Sequence, residues 1–148
     1  MSHHQAEIRW SSTTPDFKYE TYNREYTVTF GGGNSLTGSA APEYKGDATL
    51  PNPEEVLVAA LSSCHMLTFL AVAAKRGFNV ENYFDRAVGV LEKNGEGRLA
   101  ITRVTLKPTI SFSDKQPDTE ELAKLHDMAH HGCFIANSVK TEVTVDIS

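Results

Sequence analysis

NPEEVLVAALSSCHMLTFLAVAAKRG, residues 52–77, is the stretch on which the fold turns. Asn52 can cap a helix, Pro53 suits the first helical position, and Glu54 and Glu55 suit the positive end of the helix dipole. Gly77 stops the helix after Lys75 and Arg76, two cations fitted to its last turn. From Val56 to Ala74 no residue is charged. At about 1.5 Å of rise per residue such a run nearly spans a bilayer. Ser62, Ser63, Cys64, His65 and Thr68 interrupt its middle, however, and the rest of the chain is water-compatible in character. A helix apolar on nearly every side with a polar centre reads as the middle of a globular core, with no membrane contact. The expectation is a helix wrapped by sheet and covered on its remaining side by a second subunit.

The rest of the chain fits that core. Its 148 residues suit a single domain, 1–148, long enough to bury a core without disulfides or metal. Apolar residues make up 40% and charged residues 22%, which excludes wholesale disorder. A net charge of −5 argues against nucleic acid as a partner, which would need a basic face. Two cysteines are too few for a secreted disulfide framework, and the start MSHHQ has no charged region followed by an apolar one. The expected compartment is the cytoplasm.

Upstream, residues 1–25 read as polar, with Trp10 as an isolated anchor. Tyr26–Phe30 reads as a strand, Gly31–Asn34 as a turn, and residues 35–51 as irregular or edge-like, with Tyr44 as a lone core contact and Lys45-Gly46-Asp47 as a turn. Gly31-Gly32-Gly33 has neither the Lys-Ser/Thr nor the following helix of a phosphate loop. Downstream, residues 86–112 read as strands with a hairpin turn at Asn94-Gly95. Val104, Leu106, Ile110 and Phe112 alternate along one half-buried strand that Pro108 interrupts. Asp118-Thr119-Glu120-Glu121 opens a second helix with a capping box, Leu122, Leu125 and Ala129 share its apolar face, and Gly132 ends it. Thr141–Ile147 alternates as a last strand. Without βαβα alternation, the class is α+β with a mostly antiparallel sheet. Trp10, Phe30, Tyr44, Phe69 and Phe134 are the expected core or pocket aromatics.

Cys64 stands midway along the apolar helix and Cys133 follows the second helix. Free cysteines often serve as small hydrophobes, so two structural thiols remain one reading. The other is redox chemistry. Polar neighbours surround Cys64 where packing alone asks for none, and a short helix through Ser138 would lower the Cys133 pKa from its N-terminus. One thiolate can attack a peroxide and become a sulfenic acid, which the other thiol condenses to a disulfide. His65 points about 100° away from Cys64, too far round the helix to act as its base, and is expected to face a subunit boundary or pocket, or to line the site. His126, His130 and Cys133 offer ligand types for zinc, although helical His pairs are common on solvated faces. His3 and His4 read as a mobile tail.

NPEEVLVAALSSCHMLTFLAVAAKRGFNV, with the later AHHGCFIANSV and the closing TEVTVDI, resembles the OsmC/Ohr family, named for osmotically inducible protein C and organic hydroperoxide resistance protein. The likeness runs from about Tyr26 to Ile147. It implies an intertwined homodimer in which antiparallel sheets wrap long central helices. It also implies a thiol-dependent peroxidase for organic hydroperoxides or H2O2 in oxidative-stress defence, without a cofactor and re-reduced by an external dithiol. By matched position Cys64 is the peroxidatic cysteine, Cys133 the resolving one, and Glu54 the carboxylate that pairs with a thiolate-stabilising arginine. The OsmC branch carries that arginine shortly before Asn-Pro-Glu, and residues 41–55 here contain none. The Ohr branch takes it from an early strand, for which Arg24 is the counterpart. On a straight helix Glu54 and Cys64 are about 15 Å apart, so a site using both needs a bend or two subunits. A non-enzymatic binding protein with inert thiols and a Cys/His metal protein are the competing readings.

Overall fold

The computed structural model describes Met1–Ser148. Its elements are β1 (Ala6–Arg9), β2 (Tyr26–Phe30), β3 (Ser35–Gly38), α1 (Pro53–Lys75), β4 (Asn79–Asp85), β5 (Val88–Lys93), β6 (Leu99–Leu106), β7 (Pro108–Ser113), α2 (Thr119–Gly132) and β8 (Glu142–Val145). This is the α+β class expected. The chain packs as two compact units, Met1–Val56 and Leu57–Ser148.

In the first unit β1, β2 and β3 form an antiparallel meander. One reading of this region needs correction. Residues 1–25 contain β1, and Trp10 is not isolated: its ring packs edge-on against Phe17 and Tyr22, and its indole N–H donates to the Asn23 carbonyl at 2.8 Å. Of the two readings of 35–51, residues 35–38 fit the edge-like one: they form β3 at the edge of the meander, where the Gly31–Gly33 turn closes on Phe30 N–H donating to the Asn34 carbonyl. The Tyr26 ring lies over Gly38, its cross-strand partner, in space a side chain at 38 would fill. Lys45-Gly46-Asp47 does turn, with Lys45 left-handed at φ 63°. Gly46 is required there because a Cβ would fall 1.6 Å from the Ala40 carbonyl oxygen. Tyr44 is exposed, against expectation.

The second unit holds two sheets. β4 pairs antiparallel with β7, while β6 lies between β5, antiparallel, and β8, parallel. Pro108 therefore does not interrupt one strand. It ends the sheet of β6 and begins β7 in the other, a natural place for a residue that cannot donate to a ladder. β4 extends the strand region upstream of 86, and its irregularity explains why alternation failed to reveal it. A bulge between Val80 and Asn82 resets the phase, so Val80, Tyr83 and Asp85 turn inward while Phe84 is exposed.

α1 joins these parts. Asn52 Oδ1 accepts from Glu55 N–H at 2.9 Å, and the Glu55 carboxylate accepts from Asn52 N–H. Gly77 ends the helix at φ 81°. Its buried stripe is Leu61, His65, Phe69 and Ala73, one every turn. Leu61, with Leu57 and Val58 beside it, packs on Val104, Leu106 and the β5–β6–β8 sheet. Phe69 and Ala73 pack with Phe78, Phe112 of β7, and Leu125 and Ala129 of α2. Each apolar half of α1 thus serves a different sheet, and the polar centre 62–68 falls where the two clusters meet. α1 is long and apolar enough to cross a membrane by length and composition. Its opposite side, including Val56, Ala59, Ser63, Leu67 and Ala71, is uncharged and exposed. Asp118 accepts from Glu121 N–H in the expected capping box of α2. Of the five aromatics read as core or pocket wall, Phe69 alone is buried. Trp10, Phe30, Tyr44 and Phe134 are exposed.

Leu106→Ala, at a fully buried site, is expected to lower unfolding free energy by about 2–5 kcal/mol. Leu99→Ala, on an exposed position of the same strand, should stay within about 0.5 kcal/mol. Urea denaturation followed by circular dichroism measures both.

Candidate functional site

The two thiols come from the α1–α2 seam. α1 and α2 meet there: His65 bonds His126, and Phe69 and Ala73 share a buried cluster with Leu125 and Ala129. Cys64 and Cys133, both free thiols, are close enough there for their side chains to interact directly. Gly132 gives α2 its close approach, since a Cβ there would stand 3.0 Å from Thr68 Cγ2. Thr68 Oγ1 donates back to the Cys64 carbonyl at 2.8 Å, so its polar group is satisfied within α1.

Cys133 is buried, and Cys64 is partly open. Burial pushes the Cys133 thiol up from its ordinary range, and the neighbouring Cys64 thiol adds to the effect. The expected helix N-terminus is a short 3-10 turn, Ala136–Ser138, whose first N–H, from Ala136, donates to Cys133 Sγ at 3.4 Å. The N–H groups of Ala136 and Ile135 pull the pKa down, as the sequence led one to expect, but desolvation outweighs them. This is a correction to the expected lowered pKa at Cys133.

Asp85 is the polar group that sequence reading missed. Ser62 Oγ of α1 donates to Asp85 Oδ2, and Lys107 N–H, between β6 and β7, donates to Asp85 Oδ1 at 2.6 Å. One carboxylate thus ties the centre of α1 to the point where the chain passes from one sheet to the other. The signal available was an aspartate at the border of the region read as strand, since strands disfavour it. Tyr83, two residues earlier, has its hydroxyl buried without a partner, and burial and the Asp85 charge push its ionisation well up.

His65 faces neither a pocket nor a boundary. It is 1% exposed, and its Nε2 shares a 3.0 Å hydrogen bond with Nδ1 of His126, itself 4% exposed. His126 is therefore not on a solvated face, and no group of three His, Cys, Asp or Glu side chains is arranged to hold a metal ion. The His126, His130 and Cys133 set is not brought together as a ligand cluster.

Arg24 and Glu54 both belong to the first unit. The Arg24 guanidinium donates to the carbonyls of Tyr19 and Tyr22 and lies over the Tyr22 ring, 3.7 Å from its centroid. Its Nε has no partner, and neither has Glu54 Oε2, although both atoms are buried. Inside one chain the two residues do not form an ion pair.

Comparison with known proteins places this arrangement in a family. The OsmC-like protein family matches residues 46–148. An OsmC-like protein of unknown function from Vibrio cholerae O1 biovar eltor is 44% identical, with a TM-score of 0.96 over 100% of both chains. The organic hydroperoxide resistance protein OhrB of Bacillus subtilis is 18% identical, with a TM-score of 0.70 over 99% of this chain and 98% of its own. The uncharacterised protein YmaD of Bacillus subtilis is 25% identical over 128 residues, 84% of this chain and 85% of YmaD. The chain belongs to the OsmC-like family.

In the native protein, iodoacetamide is expected to modify Cys64 before Cys133. In Cys64→Ser, Cys133 should be alkylated more slowly than in the urea-unfolded chain, because burial restricts both access and ionisation. Mass spectrometry of quenched time points reads both rates.

Proposed function

We propose that the protein is a thiol-dependent peroxidase for organic hydroperoxides or H2O2, acting in the cytoplasm in oxidative-stress defence. The observation that carries this reading is the pair of free thiols, 69 residues apart in sequence, facing each other across α1 and α2. Membership of the OsmC-like family supports a peroxide-related redox role, as does the likeness of fold to organic hydroperoxide resistance proteins.

In the proposed cycle the Cys64 thiolate attacks the distal peroxide oxygen. The S–O bond forms as the O–O bond breaks, and the alkoxide or hydroxide leaves and takes a proton. Sulfur is oxidised by two electrons and the peroxide reduced by two. Cys133 then attacks the sulfenic acid, forming the disulfide and releasing water. An external dithiol returns both thiols by exchange. The partial exposure of Cys64 supports its role as attacker, and the burial of Cys133 suits a thiol that waits as the neutral resolving group.

Arg24 is assigned the role of favouring the thiolate, and Glu54 that of orienting Arg24. Because Glu54 precedes Cys64 by ten residues, about 15 Å of helical rise, the site is proposed to draw on two copies of the chain. The unpartnered buried atoms of Arg24 and Glu54 support this, as does the uncharged exposed side of α1, whose Leu67 is 62% exposed. A homodimer built on that side would cover it.

Titration with a thiol reagent before and after an alkyl hydroperoxide tests the chemistry. Wild type should lose two thiols per chain, Cys133→Ser should lose one and stop at a dimedone-reactive sulfenic acid, and Cys64→Ser should lose none rapidly. Unchanged thiols in wild type, with no turnover in any dithiol system, would leave the inert-thiol reading instead. Sedimentation at micromolar concentration is expected to give a dimer, and Leu67→Glu to weaken it.

A further inference from the structure

The hydrogen bond between His65 and His126 joins α1 to α2, and it lies next to the thiols. His65 follows Cys64 on α1. His126, His130 and Cys133 recur at intervals of four and three, along one side of α2 and its cap. The two imidazoles are stacked at 8°, with centroids 5.3 Å apart, and the Phe69 ring closes over His126 at 4.5 Å. The outer nitrogens, His65 Nδ1 and His126 Nε2, are buried without partners.

This geometry suits two neutral rings, one donating N–H and the other accepting. A first proton would go to an outer nitrogen that has neither solvent nor an acceptor. A second would set two N–H groups against each other 3.0 Å apart. The surrounding charges do not relieve this. From α2, the charge of His130 opposes a proton on His65, and Cys133 is a buried thiol held towards its neutral form. From α1 the neighbour is Cys64. From β4, Tyr83 is held neutral, and Asp85 favours protonation but is outweighed by burial. The remaining packed residues, Phe69, Phe112, Leu125 and Ala129, carry no charge.

We propose that the His65–His126 hydrogen bond is the positioning contact that holds Cys133 against Cys64, and that protons added to this buried pair, first without an acceptor and then against each other, destabilise the docked arrangement. Acidification then undocks α2 from α1 and separates the thiols. The step rests on the proposed use of Cys64 and Cys133 as a pair, but the contact can be tested without any peroxide. Burial lowers both rings from 6.5 to about 4 in the folded chain. A ring freed by undocking takes its proton at the higher value. The open state thus binds more protons than the docked state between these limits, and docking weakens as pH falls through that window.

Hydrogen exchange of α2 backbone amides, corrected for intrinsic rates, measures the opening directly. Opening should increase about tenfold or more per pH unit from about 6.5 towards 4, since one extra bound proton is worth a factor of ten per unit. The doublet His65→Gln/His126→Asn places non-titrating amides where Nε2 and Nδ1 stood, so the contact survives and the pH dependence disappears. His126→Leu, which removes it, should raise opening even near neutral pH. Ring-proton NMR of wild type should show both histidines titrating well below 6.5, in step with α2 exchange. A flat exchange profile for wild type would overturn the proposal. So would rings that titrate near the ordinary value, or a folded doublet that retains the full pH dependence. Should the doublet fail to fold, the NMR and exchange profiles of wild type decide alone. In glutathione buffers near neutral pH, His126→Leu should also form less Cys64–Cys133 disulfide than wild type. A disulfide that never forms in wild type would overturn the peroxidase reading while leaving the exchange test of the contact intact.

Discussion

One uncharged helix governs this molecule. α1 carries no charge between Glu55 and Lys75, so the chain must cover as much of it as it can. It does so along Leu61, His65, Phe69 and Ala73, and three of these four ask only for apolar neighbours. His65 asks for a hydrogen bond as well, because an imidazole buried without one costs about 1–3 kcal/mol. His126 supplies it, and in doing so fixes where α2 lies along α1. Cys133 follows seven residues later, and that register brings it to Cys64.

The same burial that organises the seam works against the proposed chemistry. Cys133 is desolvated, and desolvation favours the thiol over the thiolate more than the nearby N–H groups oppose it. A resolving thiol tolerates this, since its partner is already an electrophilic sulfenic acid. An attacking thiol does not, which is why the more open Cys64 suits that role. The cation proposed to favour the thiolate is Arg24, and inside one chain its two terminal nitrogens are given to backbone carbonyls. The chain alone thus builds the sulfur pair, and the proposed second copy bears on how the attacking sulfur is kept charged.

Much of the fold was legible from local signals. Asn52-Pro53 and Gly77 bracket α1, Asp118 and Glu121 cap α2, and Asn94 turns the β5–β6 hairpin, because each signal satisfies backbone groups within a few residues of itself. Errors fell where periodicity broke. The bulge at Val80–Asn82 shifted β4 out of phase, and Pro108 separated two sheets although the alternation on either side of it looked continuous. Exposed aromatics such as Phe134 and Tyr44 were read as core or pocket wall because side-chain type predicts burial only on average.

The candidate site divides the same way. The sequence by itself determined that two cysteines sit on or beside two helices, that one helix is apolar with a polar middle, and that the family's cysteine and Asn-Pro-Glu pattern is present without the arginine that precedes it in the OsmC branch. Those are properties of composition, spacing and nearest neighbours. Only the tertiary structure decided that His65 pairs with His126, that Asp85 ties Ser62 to the Lys107 backbone, and that Cys133 is held towards its neutral form. Each depends on desolvation and on contacts between residues 20 or more positions apart, and no local pattern records which distant side chains share a buried space.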